Sequence, residues 1–230
     1  MTGNPIIVAL DVETADEART LARKLSRHVN FFKVGMELFA VAGPDFVREL
    51  VGQGKDVFLD LKYYDIPETV KRATAKVAQL GVKFLTVHAV SQTVRAADAG
   101  ATGTGLTILA VTVLTSMGAE DLAEQNWNRD PAALVEQRTR LAVEAGAGGI
   151  VASPLEAANV RRIAGPKVTI VTPGVRSAGI DAGDQKRVAT PAEAIRNGAD
   201  YLVIGRQITR AKDPAGEAQR ILSELSSLPR

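Results

Sequence analysis

Cysteine is absent from the sequence, so disulfides, thiolate nucleophiles and thiolate metal sites are excluded. Histidine is scarce: His28 and His88 are the only two, which argues against a histidine-rich metal centre. Neither sign of charge dominates. The 28 basic and 26 acidic residues leave a net charge of +2, and the basic ones are spread along the chain. Such a distribution gives no footprint for nucleic acid or for an anionic membrane surface. No apolar run approaches the roughly 18–20 residues needed to span a bilayer. The opening residues, MTGNPIIVALD, have neither a basic leader nor a long apolar segment, so no signal peptide is expected. With 46% hydrophobic and 23% charged residues, the composition is that of a soluble globular protein, and a cytoplasmic location is expected.

What is there is an alternation of strands and helices. Residues 5–11 (PIIVALD) form a near-continuous apolar run closed by an acid, the mark of a strand buried on both faces. Thr14 is placed to cap a helix over residues 15–27, with Glu17 as the other half of a capping box. Ala18, Leu21, Ala22 and Leu25 give that helix an apolar stripe at i, i+3, i+4, i+7. Residues 30–34 make a second strand, and residues 36–51 a helix that Gly43-Pro44 is expected to break. A third strand begins at Asp56; Pro67 suits the first turn of its helix, which Gly81 terminates. Further strands are expected over residues 83–88, 105–114, 149–153, 167–172 and 201–204. Helices fall between them at 92–99, 131–145, 154–164 and 190–197, the last capped by Thr190 with Glu193 three residues on, and a final helix runs over 213–225. Loops are short except after the fifth and seventh strands. Such alternation implies parallel pairing with right-handed crossovers. Eight units in 230 residues match a single-domain α/β protein of the (β/α)8 TIM-barrel class. An open doubly wound sheet is the alternative, but the glycine-rich first loop that usually marks it is missing from DVETAD.

Residues 56–69, DVFLDLKYYDIPET, concentrate the chemistry. Side chains on a strand alternate faces with period two. Phe58, Asp60 and Lys62 therefore point one way, and Val57, Leu59 and Leu61 the other. Asp65 follows where the strand should be ending. Burying charge costs several kcal/mol per ion unless the geometry is good, so two acids around one lysine ask for a reason beyond packing. The plain alternative is a solvated lysine at a strand end.

In such barrels the active site lies at the C-terminal strand ends. Asp11, Lys33, Asp60, Lys62 and His88 fall at the ends of strands one to four, and Thr115 and Ser116 follow strand five. The loops after strands seven and eight, which often grip phosphate, read TPGVR (Pro173, Gly174, Arg176) and IGRQ (Gly205, Arg206). The glycines let backbone N–H groups approach an anion, and arginine offers a planar donor fork. Together these fragments favour a phosphorylated ligand over an ordinary turn with a solvated charge. The polar segment 177–187 has the make-up of a lid, within which Gln185 could reach the ligand; an ordinary flexible loop fits it equally well. Other features carry less. GATGTG at residues 100–105 precedes a strand, the reverse of a dinucleotide fingerprint. His28 closes a surface helix, His88 is better placed to support a site than to catalyse, and Trp127 packs a local turn.

With these residues assembled, the chain resembles the orotidine 5'-monophosphate decarboxylase family. The likeness rests on D-x-K-x-x-D-I at Asp60–Ile66, ALD at Asp11, FFKVG at Lys33, VLTSM at Thr115–Ser116, TPGVR at Arg176 and the GR pair at Arg206. The resemblance implies orotidine 5'-monophosphate as substrate and uridine 5'-monophosphate as product, with neither cofactor nor metal. It implies that Asp11 and Lys33 bind the ribose hydroxyls, and that Lys33, Asp60, Lys62 and Asp65 form an alternating charge network at C6 of the pyrimidine. Ser116 and its neighbouring backbone would read the ring, while Arg176, Gln185 and Arg206 address the phosphate and ring edge. It further implies a homodimer with shared sites, in which Asp65, Ile66 and Thr69 act in the partner's site.

The chemistry asks for such residues. Loss of CO2 from C6 leaves an electron pair in the ring plane with no adjacent group to delocalise it. The Lys62 ammonium would stabilise that charge and then protonate the carbon. Flanking carboxylates favour the ammonium and fix its direction, and Asp60, facing the substrate carboxylate, would add ground-state repulsion. Three other readings stay open. A metal-dependent keto-sugar-phosphate barrel enzyme shares D-x-K-x-x-D but typically follows it with small residues rather than Ile66-Pro67. A non-catalytic phosphate sensor would have no need of the charge network. A Schiff-base aldolase would need a lysine free of adjacent carboxylates.

Overall fold

A computed structural model of the chain describes residues 4–127, 130–177, 179 and 189–227. The elements in order are β1 (Ile6–Ala9), α1 (Ala15–Leu25), β2 (Phe31–Gly35), α2 (Met36–Gly52), β3 (Asp56–Tyr63), α3 (Pro67–Ala78), β4 (Phe84–His88), α4 (Ser91–Ala101) and β5 (Thr107–Val111). They continue with α5 (Ala119–Ala123), α6 (Pro131–Glu144), β6 (Gly149–Val151), α7 (Ala157–Ala164), β7 (Thr169–Thr172), α8 (Pro191–Arg196), β8 (Tyr201–Ile204), α9 (Arg206–Thr209) and α10 (Pro214–Ser226). The strands pair in chain order, and β8 closes on β1. Every pairing is parallel. The protein is a (β/α)8 barrel. Among the described residues no helix is long and apolar enough to cross a membrane.

Strand periodicity sorts the apolar residues into two layers. Val8, Phe32, Val57, Leu59 and Leu85 face outward and pack with the helix stripes, including Ala18, Leu21, Ala22 and Leu25 of α1. Ile7, Ala9, Phe31, Phe58, Phe84, Leu109, Val171 and Val203 fill the inside. At the N-terminal strand ends the filling is aromatic: Phe31 and Phe84 lie 5.2 Å apart, and Tyr201 meets both edge-on at 5.5 Å. Lys83 caps this floor, its Nζ 5.0 Å from the centre of the Phe31 ring and 2.8 Å from Asp56 Oδ2. Among the described residues the bottom of the barrel is thus plugged by aromatic side chains.

Several local expectations meet the structure with adjustments. Gly43 breaks α2 with φ 62 and ψ −169, ahead of Pro44. Thr190 and Glu193 form the full capping box of α8, whereas Thr14 accepts from Glu17 N–H at 3.2 Å without a return bond, so only half of the α1 box forms. Strand β5 is shorter than residues 105–114, because Val113 to Ser116 leave the ladder to wall the cavity described below. Helix α7 begins at Ala157 rather than Pro154, since Ser153 Oγ accepts from Leu155 N–H in a turn of its own. The short helix α9 has no counterpart in the sequence pattern; four residues are too few to show a period.

Arg161, on α7, fixes the strands that carry the later loops. Its guanidinium donates to the carbonyls of Gly165 and Val168 at 2.8 Å and of Gly198 at 3.0 Å. It also pairs with Asp200, whose carboxylate accepts from Ile170 N–H at 2.7 Å. One side chain therefore ties α7 to the starts of β7 and β8. Removing it strands several half-buried carbonyls, each costing about 1 kcal/mol or more. Arg161→Met is expected to lower unfolding stability by roughly 2 kcal/mol or more. The check is a shifted denaturant midpoint at unchanged slope.

Candidate active site

A cavity of about 460 Å³ opens at the C-terminal strand ends. Its base is the top of the inner layer, Ala9, Phe58, Val111, Val151 and Val203. Above it the polar residues divide between two walls: Asp11, Lys33, Asp60 and Lys62 come from β1 to β3, and Pro173, Gly174, Arg176, Gly205 and Arg206 from beyond β7 and β8. Thr115 and Ser116 complete the lining after β5.

The first wall is a chain of charges of alternating sign. Lys33 Nζ donates to Asp11 Oδ1 at 2.8 Å and lies 3.5 Å from Asp60 Oδ2. Lys62 Nζ donates to the other oxygen of Asp60, Oδ1, at 2.9 Å. The Asp60 side chain is 14% exposed and that of Lys33 10%, against 25% for Lys62 and 54% for Asp11. The pair at the centre is therefore dry and its outer partners are wet. Burial alone would push the Asp60 carboxyl up; the charges of Lys33 and Lys62, with hydrogen bonds from Lys62 and Thr86, outweigh it and hold the group below the usual carboxylate range.

Backbone geometry supports this wall. Gly35 stands in register with Asp60, and a Cβ there would lie 2.9 Å from Asp11 Oδ1 and 3.1 Å from Lys33 Nζ. A side chain there would press on that ion pair as it stands. At Lys62 the chain turns into the left-handed region, with φ 51, a conformation costing an L residue roughly 1–2 kcal/mol. The β3–β4 register shifts at the same place, between Leu59 and Tyr63. Lys62 N–H donates to Thr86 Oγ1 at 3.0 Å, and that hydroxyl donates to Asp60 Oδ1 at 2.9 Å.

The second wall has the make-up of an anion grip. Gly205 is the N-cap of α9, and Arg206 begins that helix. Gln207, 9% exposed, locks the helix to the β7 loop. Its Oε1 accepts from Ser177 N–H at 3.1 Å, and its Nε2 donates to Ser177 Oγ at 2.9 Å and to Glu217 Oε1 at 2.8 Å. Arg220 on α10 adds a donor to the same Ser177 hydroxyl at 2.7 Å.

Of the residues expected at the site, Asp11, Lys33, Asp60, Lys62, Thr115, Ser116, Pro173, Arg176, Gly205 and Arg206 line one cavity. Asp65, Ile66 and Thr69 do not; they are exposed beyond β3. Asp65 Oδ1 accepts from Ile66 N–H at 2.6 Å, and no ion pair joins it to Lys62. Gln185 lies outside the described residues, as does most of the segment around it. His88 stays out of the lining, half-buried with Tyr64 edge-on at 5.8 Å. Burial, with Arg138 and Lys62 nearby, holds its imidazole below the ordinary range, in keeping with a supporting place. Thr86, Gly35, Gln207, Thr209 and Arg210 were not picked out from sequence. For Thr86 a signal existed, since it alternates with Phe84 and His88 on the inward face of β4.

Comparison with known proteins places the chain in a family. The family model described as "Orotidine 5'-phosphate decarboxylase / HUMPS family" matches residues 4–221. The chain belongs to that family. It is 51% identical over 221 residues to an orotidine 5'-phosphate decarboxylase of Nitrobacter winogradskyi, spanning 96% of this chain and 92% of the relative. It is 49% identical to one of Afipia carboxidovorans, spanning 96% and 94%. A crystal structure of orotidine 5'-phosphate decarboxylase from Lactobacillus acidophilus superposes with a TM-score of 0.87 at 37% identity, covering 98% of this chain and all of that one.

In this member of the orotidine 5'-phosphate decarboxylase / HUMPS family, the depressed Asp60 group has a consequence for pH. A carboxylate whose folded pKa lies below its unfolded value of about 3.9 contributes stability that is fully present above that value. The contribution fades as pH falls through the folded pKa. Carbon-13 detection of the Asp60 carboxyl should give a midpoint below about 3.9; a midpoint above it would contradict the electrostatic balance described here.

Proposed function

We propose that the protein converts orotidine 5'-monophosphate to uridine 5'-monophosphate and CO2, without cofactor or metal ion, as a step of pyrimidine biosynthesis. The observation that carries the proposal is the Lys62 ammonium, 2.9 Å from a dry Asp60 carboxylate, on one wall of a cavity whose other wall carries Arg176 and Arg206. As the C6–carboxylate bond breaks, its electron pair stays on C6. The ammonium stabilises that pair and passes a proton from Nζ to C6, forming the product C–H bond; water then reprotonates the amine. Because Asp60 already fixes the ammonium, little reorganisation accompanies the charge shift. Binding of the remote phosphate by Arg176 and Arg206, with Gln185 on the segment above, contributes energy to closure and to the barrier. Asp11 and Lys33 hold the ribose hydroxyls, and Ser116 with Thr115 meets the ring.

The proposal includes a homodimer with shared sites. Its support is the exposed loop after β3, where Tyr64 and Ile66 are 63% and 66% exposed and the Asp65 carboxylate accepts from Ile66 N–H without an ion pair to its own Lys62. In the dimer Asp65, Ile66 and Thr69 enter the partner's site. A cytoplasmic location belongs to the same proposal, in keeping with a composition that needs no oxidising compartment.

One mixing experiment tests both parts. Lys62→Ala alone should release no measurable CO2 from orotidine 5'-monophosphate while still binding uridine 5'-monophosphate; normal turnover by that variant would sink the mechanism. Mixed with Asp65→Ala chains, it should form hybrids with one intact site each, restoring about a quarter of wild-type activity. No recovery on mixing would remove Asp65 from the partner's site.

A further inference from the structure

Thr86 is not itself one of the cavity-lining residues, yet its hydroxyl meets both Asp60 and Lys62. It is fully buried on the inward face of β4. Partway along β3 the ladder to β4 loses its register: Leu59 pairs with Leu85, but the next partner, Val87, pairs with Tyr63 instead of Leu61. The slack is taken up around Lys62, whose φ of 51 turns it out of the strand. A strand residue that leaves its ladder has a backbone N–H to satisfy, and a buried N–H rarely goes without a partner. The Thr86 hydroxyl accepts it at 3.0 Å. The same hydroxyl uses its one proton on Asp60 Oδ1 at 2.9 Å, the oxygen that also receives Lys62 Nζ.

We propose that Thr86 is a positioning residue for the decarboxylation, its hydroxyl holding Lys62 in the left-handed conformation and Asp60 in the rotamer that together aim the ammonium into the cavity. The proposal rests on the reading of Lys62 as the proton donor. A hydroxyl is the smallest side-chain group that accepts from one neighbour and donates to another. Branching at Cβ stiffens χ1 and holds that hydroxyl in one direction. Valine has the same shape and neither capacity. Serine keeps both and lacks only the methyl group. The two substitutions therefore separate hydrogen bonding from packing.

The test uses the full-length protein with Thr86→Val and Thr86→Ser, each assayed for kcat and KM with orotidine 5'-monophosphate. For Thr86→Val, kcat should fall roughly tenfold to a hundredfold while KM moves less than about threefold, because the loss falls on the reacting geometry and not on substrate grip. Thr86→Ser should keep kcat within about threefold of wild type. A Val variant with wild-type kcat, or a Ser variant as impaired as the Val variant, would overturn the proposal. If the Val variant does not fold, the Ser result decides alone: kcat within about threefold of wild type supports the proposal, and a larger loss overturns it. A crystal structure of Thr86→Val gives a readout independent of turnover: Lys62 should leave the positive-φ region or its Nζ should move away from Asp60. A Lys62 still at φ near 51 and 2.9 Å from Asp60 would refute the positioning role. Should the wild type release no CO2 from this substrate, the proposed function fails, and the same crystal structure still judges Thr86.

Discussion

The charged wall at the C-terminal end of this barrel depends on one carboxylate, Asp60, held between two ammonium groups. A buried ion is costly in isolation and tolerable only when its partners are close and its remaining lone pairs are used. Asp60 meets that condition through Lys33, Lys62 and Thr86, which approach from three different strands. The cluster would not survive on a flexible loop. On the inner face of a closed sheet its members cannot drift apart without breaking strand pairing. The aromatic floor of Phe31, Phe84 and Tyr201 prevents collapse from below.

The two walls of the cavity answer to different physical demands. The charge chain sits on strands or just past them and is braced by Gly35 and Thr86, both of them buried. The proposed anion grip sits on loops and on the single turn of α9. Its rigidity comes from behind. Gln207 and Arg220 tie the β7 loop to α9 and α10, and Arg161 ties together the starts of β7 and β8.

Much of this was legible in the chain. The apolar alternation in DVFLDLK places Asp60 and Lys62 on the inward face, and eight strand–helix units imply the barrel. Other features lay beyond a pattern of faces. Periodicity tells which way Thr86 points but not that a register shift beside it frees the Lys62 N–H, because that shift is a property of two strands and not of either alone. Gly35 reads as a turn glycine until Asp11 and Lys33, far apart in sequence, are brought over it. Helix α9 is too short to show a period, and Gln207 has meaning only beside Ser177 and Glu217. Asp65 is the opposite case: its position past the strand was visible, and the fold of one chain leaves it facing solvent.

In the proposed mechanism the ammonium held by Asp60 serves the decarboxylation with no help from a metal ion. Spectrophotometric assay of orotidine 5'-monophosphate turnover before and after exhaustive chelation tests this most directly. The account predicts identical rates. Loss of activity on chelation, restored by adding a divalent cation, would contradict it.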